Sequence, residues 1–336
     1  MNNTFKAFVI QQNPDSAAKQ KTIGSIETLN NADLPDENVL IKVDYSSLNY
    51  KDGLVVTGKG RICRQLPMVG GIDLAGTVLE SADDRYQAGD QVVVNGYGLS
   101  ESHWGGYSQR QRVNADHLVN LDAVFNTEQA MAIGTAGYTA MLCVMAIQDH
   151  GVTPEHGPVL VTGAAGGVGS VAIMLLAKLG YQVTASTGRV DACKAKLTGL
   201  GASEVVDRQA FNVESKPLAG EKWAAVVDSV GGQPLATILA QVNYEGIVAA
   251  CGLAAGMSLP SSVAPFILRG VTLRGIDSVM ASQQRRARAW KLLSELIDLN
   301  HLASLYCIEP MSALPQLGEA ILSGQVQGRV VIDVNA

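Results

Sequence analysis

The run Val159-Leu160-Val161-Thr162-Gly163-Ala164-Ala165-Gly166-Gly167-Val168-Gly169 decides the fold. It opens as an apolar strand, passes through a glycine-rich turn and continues as a helix to about Leu179. A glycine motif by itself is weak evidence, but this one has the strand before it and the helix after it that phosphate binding requires. Read as A-x-G-x-x-G over Ala164, Gly166 and Gly169, the turn lets a pyrophosphate approach the backbone at Gly166. Gly169 then lets the helix pack on the strand, and the helix N-terminus faces the negative charge. The alternative is a tight strand-to-helix turn that holds no ligand.

Around this stretch, from about Thr127, strands and helices alternate. Strands are expected at 182–186, 204–207, 224–228 and 247–251, with helices at 167–179 and 191–200, which together make a parallel sheet covered on both faces. The preceding third of the chain is different. Short runs at 6–11, 38–47, 76–80 and 90–95, each bounded by Gly, Asp or Asn, predict a mostly antiparallel β unit. After Pro265 come a strand at 272–275, a helix with Trp290, Leu292, Leu293, Leu296 and Ile297 on its apolar face, and a last strand at 329–334.

Composition narrows the function classes. The 336 residues are 47% hydrophobic and 17% charged, which suits a folded protein of about two domains. A net charge of −6 offers no field to collect nucleic acid or anionic lipid, so neither is an expected partner. Arg285, Arg286 and Arg288 form the one dense basic cluster and are expected on a solvated helix face, with an anion contact as the alternative. Residues 130–147 carry no charge and are long enough to span a membrane. Their small residues, with Gly134-Thr135-Ala136-Gly137 among them, predict a close-packed core helix instead. Residues 1–8 show no basic segment leading into a long apolar run, so the expected location is the cytoplasm. Cys63, Cys143, Cys193, Cys251 and Cys307 are odd in number and scattered, as reduced thiols are. The histidines pair neither with each other nor with a cysteine at zinc-site spacing, so no metal is expected.

The strand after the phosphate turn ends in Ser186-Thr187-Gly188-Arg189. An NAD enzyme places an Asp or Glu there for the ribose 2′-hydroxyl. A guanidinium among hydroxyls suits a 2′-phosphate, which makes NADPH the expected cofactor. Arg208, past the third strand, either flanks the same phosphate or is a surface arginine. Cys251 reads as a buried thiol without a base to activate it. His103 reads as a packing or hydrogen-bonded histidine, with general-acid work as the alternative.

With Gly134-Thr135-Ala136-Gly137-Tyr138-Thr139-Ala140 upstream of the glycine turn, the chain resembles the medium-chain dehydrogenase/reductase superfamily over essentially its full length. More narrowly, Ser46-Ser47-Leu48-Asn49-Tyr50-Lys51-Asp52, His103-Trp104-Gly105-Gly106 and Gly275-Ile276-Asp277-Ser278-Val279-Met280 resemble the NADPH-dependent acrylyl-coenzyme A reductase branch, also labelled quinone oxidoreductase-like. The resemblance implies an α/β protein with two domains. A GroES-like, mostly β catalytic domain covers 1–127 and 266–336, and a doubly wound Rossmann domain covers 128–265. Zinc enzymes of the superfamily use a Cys and a Gly-His-Glu motif. Here Asn49 stands near the expected Cys, Gly71-Ile72-Asp73 replaces Gly-His-Glu, and no cysteine cluster follows Asn95. Without a Lewis acid, reduction of an activated double bond is favoured over alcohol oxidation.

The implied reaction is hydride transfer from NADPH to the β-carbon of a short α,β-unsaturated acyl-CoA, acrylyl-CoA first, with protonation at the α-carbon. The rivals are a quinone or enone reductase and a protein that binds NADPH without turnover. Tyr50 is implied as a nicotinamide contact or a chemical participant, and Asn49 as a donor or a loop pin. Lys51 and Asp52 are read as a possible structural salt bridge. Ala165, Gly166, Gly167 and Val168 are implied at the pyrophosphate, Thr187, Gly188 and Arg189 at the 2′-phosphate, and Leu253 at the nicotinamide. Ile267, Ser278 and Arg329 complete the implied cofactor set, although from the residues alone Ile267 reads as core and Arg329 as surface. The resemblance also implies a homodimer through the Rossmann sheets.

Overall fold

A computed structural model describes residues 3–336 apart from Ser16, Ala18, Lys19 and Ser215. The chain divides into two compact units. The first comprises Met1–Thr135, Ser278–Ser294 and Leu302–Ala336, and the second Ala136–Asp277 and Glu295–His301.

The spine of the first unit is the ten-residue strand Val39–Leu48. It runs antiparallel to Asp73–Ser81, its first half pairs with Arg110–Val113, and its last residues pair with Arg329–Asp333. Gln91–Asn95 and Val119–Asn120 extend the sheet on one side and Tyr306–Pro310 on the other. Apolar residues at alternate positions, among them Val39, Ile41, Val43, Leu74, Val92, Val94 and Ile332, fill one core. A smaller sheet joins Thr4–Gln12, Thr22–Asn30 and Met68–Val69. The strand Thr22–Asn30 has no expectation behind it in the sequence. It is an edge strand with no fully buried residue, so its pattern lacks a strong apolar face.

The second unit is a six-stranded parallel sheet. Its order is Glu204–Asp207, Val183–Thr187, Val159–Val161, Trp223–Asp228, Val242–Ala250 and Thr272–Gly275, the doubly wound order that reverses at the first strand. The strand Val159–Val161 is buried throughout, as a central parallel strand covered on both faces must be. Thr272–Gly275 pairs with Val242–Ala250. The return to the first unit therefore comes at Ser278, later than the expected 266.

The uncharged stretch lies in the helix Thr127–Asp149, whose most apolar window is wholly buried in protein. The helix is interrupted at Gly134, where φ is 51° and ψ is −162°.

The basic cluster departs from expectation. Arg286 is fully buried on the helix Gln283–Leu296. Its guanidinium donates to the carbonyls of Asn95 (2.6 Å), Ser278 (3.2 Å) and Val279 (3.2 Å), and lies 4.2 Å from the Tyr97 ring centroid. These acceptors, with the face of an aromatic ring, replace the water a solvated arginine keeps. Arg286→Ala should lower unfolding stability by about 3 kcal/mol, because buried carbonyls lose a charged donor. Urea unfolding checks this, and an unchanged midpoint would contradict it.

Candidate active site

In the first unit the chemistry-bearing residues gather where the spine strand ends. Asn49 caps the helix Tyr50–Val56, and Asp52, at its third position, turns inward. Asp52 accepts from the backbone N–H groups of Asn49 (2.9 Å) and Ile72 (3.0 Å). The expected Lys51–Asp52 pair does not form. Lys51 instead bonds Glu101, because adjacent positions on a helix point about 100° apart.

Asp73 is buried with Asp52. Its carboxylate accepts from Ser47 Oγ (3.0 Å), the Ser47 N–H (3.2 Å) and the Thr135 N–H (2.7 Å). Arg329, which reads as a surface residue in sequence, is only 3% exposed. It donates to the carbonyls of Ala132 (3.0 Å) and Leu48 (3.2 Å), to Asn49 Oδ1 (3.1 Å) and to Ser47 Oγ (2.7 Å). Asn49 is thus engaged at both ends of its amide, since its Nδ2 donates to Ser47 Oγ and Asp52. That arrangement suits the loop-pin alternative better than a free donor. Gly134 makes room for the cluster, because a Cβ there would lie 2.5 Å from Arg329 Nη2 and 2.7 Å from Ser47 Oγ.

Burial pushes the Asp52 carboxyl up to about 7, with the Asp73 charge adding to the rise and the Asn49 donors opposing it. Burial also raises Asp73, against the opposing pull of the Arg329 guanidinium and the surrounding donors. The Arg329 charge counters the rise at Asp73 and not at Asp52, so the two buried carboxyls differ in their cationic support. The Tyr107 hydroxyl donates to the Ser47 carbonyl (3.1 Å), and burial lifts that phenol well above its ordinary value.

Tyr50, on the first turn of the same helix, is half exposed. Ser278 is partly buried, and its carbonyl is held by Arg286. His103 is exposed, with its ring 6.3 Å from that of His117, which in turn stacks on Tyr97 at 4.2 Å.

In the second unit the glycine turn has the shape its sequence implies. A Cβ on Gly169 would lie 2.5 Å from the Gly163 carbonyl, and one on Gly163, where φ is 58°, would lie 2.4 Å from Ser229 Oγ. Ala165, Gly166, Gly167 and Val168 remain partly accessible. The helix Gly167–Lys178 has no side-chain cap, so its first N–H groups stay available to an anion. Beneath the turn the buried Asp228 accepts from Thr162 Oγ1 (2.7 Å) and the Gly231 N–H (2.8 Å), tying neighbouring strand ends together. These features fit a dinucleotide pyrophosphate.

The next strand, Val183–Thr187, ends just before Gly188 and Arg189. The Arg208 guanidinium lies over Gly188, 2.6 Å from where a Cβ would sit. Thr187 is buried, and its hydroxyl accepts from the Arg189 N–H (3.3 Å). Leu253 is exposed, and Ile267, which reads as core in sequence, is 73% exposed. Cys251 is partly buried and donates to the Asp228 carbonyl at 3.4 Å.

Two family descriptions match the chain: an alcohol dehydrogenase GroES-like domain over residues 35–150 and a zinc-binding dehydrogenase domain over 167–295. The acrylyl-CoA reductase AcuI of Ruegeria pomeroyi is 52% identical, over 99% of this chain and all of its own length. The chain belongs to the acrylyl-CoA reductase branch of the medium-chain dehydrogenase/reductases. Among solved structures, the Salmonella enterica yhdH oxidoreductase in complex with NADP superimposes with a TM-score of 0.94. It is 48% identical, over 98% of this chain and 99% of its own. Bacillus subtilis yhfP with NAD bound gives a TM-score of 0.93 at 41% identity, over 98% and 99% of the two chains. In this chain Asn49, Asp52, Asp73 and Arg329 form one hydrogen-bonded cluster. Among its described residues no group of three His, Cys, Asp or Glu is placed to hold a metal.

The raised Asp52 fixes the sign of a pH effect. The folded state keeps a proton up to about pH 7 that the unfolded chain releases near its ordinary 3.8, so unfolding stability falls as pH rises through 7. Urea midpoints should drop between pH 5 and 8 in the wild type, and Asp52→Asn should remove much of that slope. Equal slopes in the two proteins would mean that Asp52 is ionised in the fold.

Proposed function

We propose that the protein is a zinc-independent, NADPH-dependent reductase of short α,β-unsaturated acyl-CoA thioesters, with acrylyl-CoA as its leading substrate. The full-length likeness to an acrylyl-CoA reductase supports the substrate class. The geometric observation that carries the cofactor reading is Arg208 lying over Gly188, beside Arg189, at a strand end that lacks a carboxylate. Two guanidinium groups suit a 2′-phosphate and gain nothing from a hydroxyl.

In this reading Ala165, Gly166, Gly167 and Val168 hold the pyrophosphate, and Thr187, Gly188, Arg189 and Arg208 surround the 2′-phosphate. Tyr50, Leu253, Ile267 and Ser278 complete the cofactor contacts. When bound, NADPH supplies the hydride delivered to the β-carbon. The chain's part is to position and to manage protons. Arg329 and Asn49 fix the start of the helix that presents Tyr50, and Arg329 serves the cofactor site through that positioning. Asp52, whose carboxyl burial lifts to about 7, sits in a hydrogen-bonded group that reaches the Tyr107 hydroxyl through Asn49 and Ser47.

We place the enzyme in the cytoplasm as a homodimer formed through the Rossmann sheets. Thr272–Gly275 ends its sheet with an unpaired edge, and the segment before it exposes Val263 and Leu268. Sedimentation equilibrium should give twice the 35.3 kDa chain mass, and a monomer at micromolar concentration would refute the dimer.

The activity is tested by initial rates of NADPH oxidation with acrylyl-CoA, crotonyl-CoA and a simple quinone, with NADH as the comparison cofactor. A saturable rate with the acyl thioester and NADPH is expected, and activity with quinones alone would overturn the substrate assignment. Arg189→Ala should shrink the NADPH-over-NADH preference in kcat/KM at least about tenfold, the loss of a charged phosphate contact. An unchanged ratio would remove Arg189 from the 2′-phosphate site.

A further inference from the structure

A polar cavity opens in the first unit, on the same helix start that carries Asn49 and Tyr50. Its volume is about 470 Å³, and Lys51, Arg61, Ile62, Cys63, Arg64 and Glu101 line it. Three cations face one carboxylate there, a surplus of two positive charges in a chain of net charge −6. Glu101 is committed to Lys51 and stands 4.0 Å from Arg64. Among the described residues Arg61 makes no ion pair. The arginines are solvent-facing, so they reach a ligand without paying for burial.

The cavity wall is a fixed structure. The segment that carries the arginines is laced to the neighbouring loop in three consecutive steps. Cys63 Sγ donates to the Ser100 carbonyl (3.4 Å), the Arg64 N–H to the Glu101 carbonyl (2.7 Å), and Gln65 Nε2 to the Ser102 carbonyl (3.2 Å). Further along, that loop is locked to the segment that carries Asp73. A Cβ on Gly105 would lie 2.1 Å from the Gly71 carbonyl, and one on Gly106 2.0 Å from that of Asp73. Burial raises the Cys63 thiol, so it stays neutral and, with Ile62, gives the cavity an apolar side. A preformed cleft of this size, with one apolar wall and forked cations, matches an organic phosphate better than a free metal or a carboxylate alone.

We propose that this cavity is the subsite for the phosphates of the coenzyme A portion of the substrate, with Arg61 and Arg64 as the residues that recognise them. The assignment rests on the acyl-CoA reading of the active site and goes beyond it. It makes the nucleotide end of the substrate a determinant of specificity, held by a surface that the phosphate-binding turn of the second unit does not supply.

The test compares acrylyl-CoA with acrylyl-pantetheine, the same thioester without the nucleotide. The wild type should favour acrylyl-CoA at least about tenfold in kcat/KM, with the difference in KM. In the R61A/R64A double variant that preference should fall to about one, and R61K/R64K should restore part of it. In the wild type 3′,5′-ADP should compete with acyl-CoA and not with NADPH, and its inhibition constant should rise about tenfold in R61A/R64A. A wild type that reduces both thioesters equally well, or a double variant that keeps the preference, overturns the subsite and leaves the reductase reading standing. A matching rise in KM for NADPH would mean that the cavity serves the cofactor, and also overturns it. If the wild type reduces neither thioester, the acyl-CoA reading fails. Calorimetric binding of 3′,5′-ADP, lost in R61A/R64A, then still decides whether the cavity holds a phosphorylated nucleotide.

Discussion

A guanidinium cut off from water must have its N–H donors answered by protein, and Arg329 meets that demand with partners drawn from three parts of the first unit. They are the end of the spine strand, the cap of the helix Tyr50–Val56 and the carbonyl of Ala132. Each of these is held where it is by the same group. Asn49 cannot turn outward while Arg329 holds its Oδ1. Gly134 cannot carry a side chain while Nη2 occupies that space. The positive charge also opposes the burial penalty on Asp73, whereas burial carries Asp52 up to about 7. A site that keeps carboxyls and a cation in the dry core is costly to build, and its geometry is correspondingly rigid.

The second unit obeys a different constraint. Its turn is shaped by backbone approaching backbone, with Gly169 against Gly163 and Ala164. Glycines write such contacts directly into the sequence, so the parallel sheet, the turn and the helix after it were all legible there. The arginine pair was half legible. Arg189 follows from its position after the strand, whereas the place of Arg208 over Gly188 depends on how the adjacent strand returns.

The first unit hid more, and for identifiable reasons. Arg329 begins a strand directly after Gly328, a pattern that ordinarily marks an exposed end. Its burial follows from Ser47, Asn49 and Asp73, far away in the chain. Ile267 looks like core by residue type and lies outside because its helix, Ala264–Arg269, is short and buries only Pro265. Arg286 carried a usable signal. Arg286, Ala289, Trp290 and Leu293 fall on one helical face, and all four are buried. Reading the arginine triplet as a single charged patch obscured that spacing.

The separation of Arg329 from Ser47 by 282 residues has a consequence for synthesis. At ~5–20 residues per second, Arg329 leaves the ribosome's catalytic centre about 15 to 55 s after Ser47. All of the parallel sheet is translated in that interval. The N-terminal strands therefore wait, with Asp52 and Asp73 already made and the cation that belongs beside them not yet in existence. Until Arg329 is made, the Ser47 hydroxyl, the Asn49 amide oxygen and the Ala132 carbonyl lack the one donor group that later joins them.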